Sequence, residues 1–143
     1  MEFRKVATLY CLIFLLSSAF SQDYNTHINV IGNNTTLTTI DKKELVDIFR
    51  GRNTFWDNDI RIKLVLPSQN HEFAEEIAEQ VYNLSHTKMR KFWLSMVFQG
   101  RTNPPIFMDS DEEMEIYVKK NQGAIAVLGQ ATENSGLTIK VID

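Results

Sequence analysis

The stretch LVLPSQNHEFAEEIAEQ, from Leu64 to Gln80, places polar side chains where a strand leads into a helix. The N–H groups at such a helix N-terminus attract anions, and many α/β proteins hold phosphate there. Ser68, Gln69 and Asn70 can each donate a hydrogen bond to an oxyanion. The loop has no glycine, however, and acidic residues follow at once from Glu72. Their carboxylates compete with an incoming anion for the same helix field, so the stretch leaves open whether an anion binds.

Residues that could ligate a metal ion do not form a recognisable set. The histidines, His27, His71 and His86, lie far apart in the sequence. His71 and Glu72 resemble a fragment of a zinc-binding helix, but Glu75 stands where the second histidine would be. We therefore predict no metal site and no cofactor.

Nucleophilic catalysis also lacks a signature in this sequence. There is no Gly-x-Ser-x-Gly motif, and the single cysteine, Cys11, lies in the N-terminal apolar run. Ser68, Ser85 and Ser110 each precede a predicted helix, where serine usually serves as the N-cap. We therefore expect these serines to cap helices and the protein not to be an enzyme.

The first 21 residues have the pattern of a secretory signal peptide. Arg4 and Lys5 precede an apolar run, and Ala19 and Ser21 are the small residues that signal peptidase requires. The pattern predicts cleavage after Ser21, a single domain over residues 22–143, and a periplasmic or secreted location. The whole chain has a net charge of −3, and cleavage would make it more negative by one unit. An acidic chain of this kind disfavours a nucleic-acid partner.

Hydrophobic periodicity predicts the element order β-α-β-α-α-α-β-β. Strands are predicted at 27–31, 60–66, 124–128 and 137–142. Helices are predicted behind capping boxes at Asp41 and Ser110 and behind the turns at Asn70 and Ser85. The apolar stripe from Met89 to Val97 is expected to be core, and the cations Lys88, Arg90 and Lys91 a solvated face. This order predicts an α/β fold with a mixed, mostly parallel sheet flanked by helices.

Four fragments in order carry a resemblance to a known family: LTTIDKKELVDIFRGRNTFWDND, KLVLPS, FWLSMVFQGRTNPP and DEEMEIYVKKNQGAIAVL. The chain resembles small secreted proteins described as phosphate ABC transporter substrate-binding-like. The resemblance implies one lobe of a type 2 periplasmic-binding-protein fold, whose ligand edge is the carboxyl end of the strands. It covers the chain from about Ile28 onwards. The arginine, glycine and threonine of the family's phosphate loop are absent between Pro67 and Glu72.

The resemblance implies a ligand site built by the loops after the first two predicted strands. The candidate ligand-binding residues are Asn33, Asn34, Ser68, Gln69, Asn70 and Arg101. The leading hypothesis is a secreted, non-catalytic, solute-binding-like protein that binds phosphate or a related oxyanion. The alternative is an accessory module with a degenerate ligand site, which contacts a membrane sensor or transporter. One lobe cannot close around a ligand, so pairing as a homodimer or docking onto another protein is expected if a ligand is to be enclosed.

Overall fold

The computed structural model describes residues 28–33, 35–133 and 136–143. In chain order the elements are β1 (Asn29–Gly32), β2 (Thr39–Asp41), α1 (Lys42–Phe49), β3 (Lys63–Pro67), α2 (Ala74–Tyr82), α3 (His86–Phe98), β4 (Ile106–Met108), α4 (Asp111–Lys120), β5 (Ala124–Leu128) and β6 (Thr138–Ile142). The predicted signal peptide and His27 lie outside the described residues. The α/β class predicted from the sequence is confirmed.

The strands form one six-stranded sheet in the order β2-β6-β1-β5-β3-β4. β2 pairs in parallel with β6, and β3 pairs in parallel with both β4 and β5. β1 lies between β5 and β6 and is antiparallel to both. The expectation of a mostly parallel sheet therefore needs correction, because a reversed strand in the middle makes the sheet mixed. The other five strands share one direction, so their carboxyl ends lie at the same edge.

Helices cover both faces of the sheet. On one face, Val30, Val127 and Leu66 pack with side chains from α1, α2 and α3. On the other face, the alternate positions Ile31 and Val65 pack with side chains from α4. β5 is buried along its whole length, as expected of a strand covered on both faces.

Local signals set the helix boundaries. Asp41 accepts a hydrogen bond from the Glu44 N–H at 2.7 Å, and Ser85 accepts one from the Lys88 N–H at 3.3 Å. Ser110 accepts one from the Glu113 N–H at 3.2 Å. These three side chains satisfy N–H groups that have no partner within the helix, which confirms the predicted caps.

A buried hydrogen-bonded chain joins three helices. The hydroxyl of Tyr82 donates to the carbonyl of Phe49 at 2.6 Å and accepts from Trp93 Nε1 at 2.9 Å. Burial raises the pKa of the Tyr82 hydroxyl well above its ordinary value, because the charged phenolate would lose its hydration. This chain fixes α1, α2 and α3 relative to one another behind the sheet.

Candidate functional site

Three loops meet at the carboxyl edge of the sheet, where β3, β4 and β5 end. The N–H of Ser68, just after β3, donates to the carbonyl of Met108 at the end of β4 at 2.8 Å. The loop after β5 is held by α4, which begins directly after β4. This edge is the one at which open α/β sheets bind ligands, so it is the candidate functional site.

The carboxylate of Asp111 is the centre of this edge. Its Oδ1 accepts from the Gly129 N–H at 3.0 Å, and its Oδ2 accepts from the Gln130 N–H at 2.9 Å. His71 Nε2 lies 3.2 Å from Oδ1, and the two side chains are 1% and 23% exposed. Three nitrogen atoms from two loops thus surround one carboxylate, which is the arrangement expected around a bound oxyanion.

The hydrogen bonds of His71 identify its protonation pattern. Its Nδ1 accepts from the Phe73 N–H at 3.1 Å, so the proton of the neutral ring resides on Nε2. That nitrogen faces Asp111 within ion-pair distance, although the N–H is not aligned for a regular hydrogen bond. Nδ1 is therefore hydrogen-bonded within the loop, whereas Nε2 faces Asp111 without a regular hydrogen bond.

Ser68 ties the same loop to a second carboxylate. Its Oγ is hydrogen-bonded to Asp109 Oδ1 and accepts from the Asn70 N–H at 3.0 Å. Ser68 therefore does not cap α2, and the expectation that it does so is wrong. The reason is that residues 68–73 form a turn of their own, so that α2 begins only at Ala74.

One glutamate in the first turn of α2 accepts a hydrogen bond from the start of another helix. Glu75 and Glu76 lie in the first turn of α2, as the sequence predicts. The carboxylate of Glu75, however, accepts from the His86 N–H at 2.9 Å, at the start of α3. Glu113, in the first turn of α4, accepts from the Asp109 N–H just before its own helix at 3.0 Å. At this edge the chain's own carboxylates fill positions that an external anion would need.

The candidate residues from the first loop lie elsewhere. Asn33 donates from Nδ2 to the carbonyls of Val118 and Lys119, at 2.9 and 3.0 Å, and so caps the end of α4. Because β1 is antiparallel to β5, its last residue, Gly32, pairs with Ile125, and the N–H of Asn33 donates to the Ala124 carbonyl at the amino end of β5. The structure therefore does not bring Asn33 to the loop of Ser68. Asn34 lies outside the described residues.

Arg101 also lies away from the carboxyl edge. It follows α3, and its N–H donates to the Met96 carbonyl at 3.1 Å. The next residues, Thr102 and Asn103, border a groove with Lys63 at the amino end of β3. Arg90, which the sequence assigns to a solvated face, is the cation near the candidate loop, because its Nη1 lies 3.5 Å from Gln69 Oε1.

The sequence does not identify Asp111 and His71 as residues of the candidate site. It predicts Asp111 only as part of the capping box that begins at Ser110. That this box lies at the carboxyl edge of the sheet can be inferred only if the preceding strand, β4, is recognised. That strand has three residues and gives no periodic signal. In the described part of the chain, no group of three or more acidic, histidine or cysteine side chains is arranged to hold a metal ion.

No protein-family model and no curated protein matches the chain. Solved structures that are similar to it include two phosphate-transport proteins. One is described as a phosphate ABC transporter substrate-binding protein from Clostridium perfringens with bound phosphate; it is 17% identical, with a TM-score of 0.54, over 80% of this chain and 44% of that one. The other is an ABC-type phosphate transport receptor from Vibrio cholerae, 17% identical, with a TM-score of 0.50, over 80% of this chain and 46% of that one.

The likeness shows the fold. The resemblance inferred from the sequence fragments is thus confirmed at the level of architecture, although the chain spans less than half the length of either structure. No helix among the described residues has the length and apolar character needed to cross a bilayer.

Proposed function

We propose that this chain is a non-catalytic, solute-binding-like lobe in which the carboxylate of Asp111 occupies the place of an anionic ligand. On this proposal the chain works as an interaction module for a membrane sensor or transporter. The observation that carries it is the convergence of the Gly129 and Gln130 N–H groups and His71 Nε2 on Asp111. The Gly129 and Gln130 N–H groups, which could bind an oxyanion, are already hydrogen-bonded to this carboxylate of the chain itself.

The negative charge around Asp111 supports a filled site, by which we mean a ligand position that the Asp111 carboxylate occupies. Asp109, Asp111, Glu112 and Glu113 lie together at the start of α4. An anion entering here would meet like charges and would have to displace charge-assisted hydrogen bonds, which are the stronger kind.

The second candidate function is binding of phosphate or a related oxyanion. The likeness to a structure that contains phosphate favours it, and so do the exposed side chains of Gln69 and Asn70 beside Ser68. In this case Arg90 would supply the positive charge near the loop. Asn33 and Arg101, at the other edge, would belong to a separate contact.

Thermal melting in phosphate and in sulfate separates the two functions. A filled site predicts no stabilisation of the wild type by either anion, whereas binding predicts about 2.7 kcal/mol at 100 times the dissociation constant. Asp111→Ala should gain a response to anions, because it frees the donors. Glu112→Ala, which removes a neighbouring exposed carboxylate, is the matched control. Stabilisation of the wild type by phosphate would overturn the filled site in favour of binding.

Secretion and pairing belong to the same proposal. The signal-peptide pattern favours export to the periplasm or the medium, with transporter or sensor proteins as partners in the membrane. We expect the exported protein to begin at Gln22, which intact-mass measurement on the secreted fraction will check. An N-terminus at Met1 would contradict cleavage. Light scattering over a concentration series will show whether two lobes pair as a homodimer.

A further inference from the structure

A groove of about 410 Å³ runs between α3 and β4, the last strand at one side of the sheet. We call it the α3–β4 groove. Its lining includes Gln69, Arg90, Trp93, Leu94, Val97 and Phe107. It lies beside the candidate site and shares Gln69 with the loop after β3. Asp111 and His71 do not line it.

Apolar surface continues from this groove into solvent. Leu94 is 58% exposed and Phe98 is 82% exposed. They lie four residues apart on α3, so they are neighbours on one face of the helix. Large apolar side chains grouped in this way mark an interaction site more often than an isolated exposed residue does. The surface extends past the groove, which favours a polypeptide over a small ligand.

Positive charge borders the same surface. The guanidinium carbon of Arg90 lies 5.3 Å from the centre of the Phe107 ring, and Lys88 and Lys91 are exposed on the same helix. Among the described residues, the ion pairs of lysine and arginine side chains join Lys43 and Arg52 to Asp47. None of them neutralises a cation of α3. In a chain with a net charge of −3, this is a local surface that complements carboxylates.

The strand beside the groove has a free edge. The Met108 carbonyl accepts from the N–H of Ser68, just after β3, so the neighbouring residue, Phe107, directs its N–H and C=O away from the sheet. Pro104 and Pro105 precede β4 and limit the length of this edge. An extended segment could therefore form a short pair of backbone hydrogen bonds at Phe107.

We propose that the α3–β4 groove binds an extended segment of a partner protein in which a large apolar side chain is flanked by acidic side chains. The apolar side chain fills the groove over Leu94 and Val97, and the carboxylates pair with Arg90 and Lys91. This assignment rests on the proposed function as an interaction module, and it names the surface and the chemistry of the partner.

Selection from a phage-displayed library of short random peptides on the immobilised wild-type domain tests the assignment. We expect enrichment of sequences that alternate acidic and large apolar residues. Synthetic peptides of the enriched sequence should bind Leu94→Ser and Arg90→Gln more weakly by about tenfold or more, measured by fluorescence anisotropy. Ile116→Ser and Lys119→Gln, which change exposed residues of α4, are the matched controls. Circular dichroism checks that each variant is folded.

Failure to enrich any sequence would overturn the proposal, as would enriched peptides that bind Leu94→Ser and Arg90→Gln as tightly as the wild type. Enrichment of basic peptides would also overturn it. The anion response of Asp111→Ala reports on Asp111, whereas the peptide measurements report on the groove, so the two failures are distinguishable. A wild type that phosphate stabilises overturns the filled site, whatever the peptides show.

Discussion

His71 Nε2 lies 3.2 Å from Asp111 Oδ1 and thereby joins the loop after β3 to the first turn of α4. Both residues follow strands that end at the same edge of the sheet, and the Gly129 and Gln130 N–H groups complete the cluster. Three separate segments of chain are therefore connected through one carboxylate. The donors of this edge therefore face a carboxylate of the chain itself.

The first prediction concerns Asp111→Asn. An asparagine has one acceptor oxygen instead of two and places an NH₂ group against an N–H, so at least one donor loses its partner. We expect the free energy of unfolding to fall by about 1–3 kcal/mol, measured by urea denaturation. Glu112→Gln, at an exposed neighbouring position, should stay within about 0.5 kcal/mol of the wild type. Equal effects of the two changes would contradict a structural role for the Asp111 carboxylate.

The sequence predicted the helices well, because a helix and its N-cap depend on residues that are close together in the chain. Asp41, Ser85 and Ser110 each bond an N–H three residues on, and a cap of this kind is readable without knowledge of the fold. The two edge strands, β2 and β4, have three residues each, which is too short for a period to be visible. Neither strand is therefore part of the predicted element order.

The position of the candidate site depends on pairing between strands that are far apart in the sequence, which a local sequence pattern does not predict. Asn33 and Ser68 each follow a strand, and grouping them assumed that the two strands run the same way. β1 instead pairs antiparallel with β5 and β6, which lie near the other end of the chain, so Asn33 lies at the opposite edge. His71 and Asp111 were missed because their meeting depends on β3 and β4 lying side by side.

The second prediction concerns Gly129→Ala. A Cβ at this position would collide with the ring of Phe73, so the strand end and the α2 loop pack together only because residue 129 is glycine. The collision must move either Phe73 or the N–H that Asp111 accepts. We expect a loss of about 1–3 kcal/mol in stability, read from urea denaturation. Gly136→Ala meets no atom within 4 Å and is the matched control. If both variants unfold at the same urea concentration, the close approach of Gly129 to Phe73 does not contribute to stability.

The third prediction is a pH dependence that arises from Tyr82. Burial raises its folded-state pKa above the ordinary value of 10.0, so the unfolded chain loses this proton first as the pH rises. The stabilising contribution is thus complete below about pH 10 and declines above it. We expect Tyr82→Phe to lose less stability than the wild type between neutral and strongly alkaline pH, as followed by urea titrations. Tyr117→Phe controls for the loss of one phenol. Parallel curves for wild type and Tyr82→Phe would contradict the linkage.

The fourth prediction separates a structural from a binding role for the loop after β3. Ser68→Ala removes an oxygen that bonds Asp109 and accepts the Asn70 N–H, so we expect a loss of about 1 kcal/mol in urea denaturation. Asn70→Ala alters an exposed side chain and should be nearly neutral. If the loop is only structural, neither change will alter the melting response to phosphate, since Ser68 is already committed to Asp109. A phosphate response in the wild type that disappears in the double variant would instead show that Ser68 and Asn70 contact the anion directly.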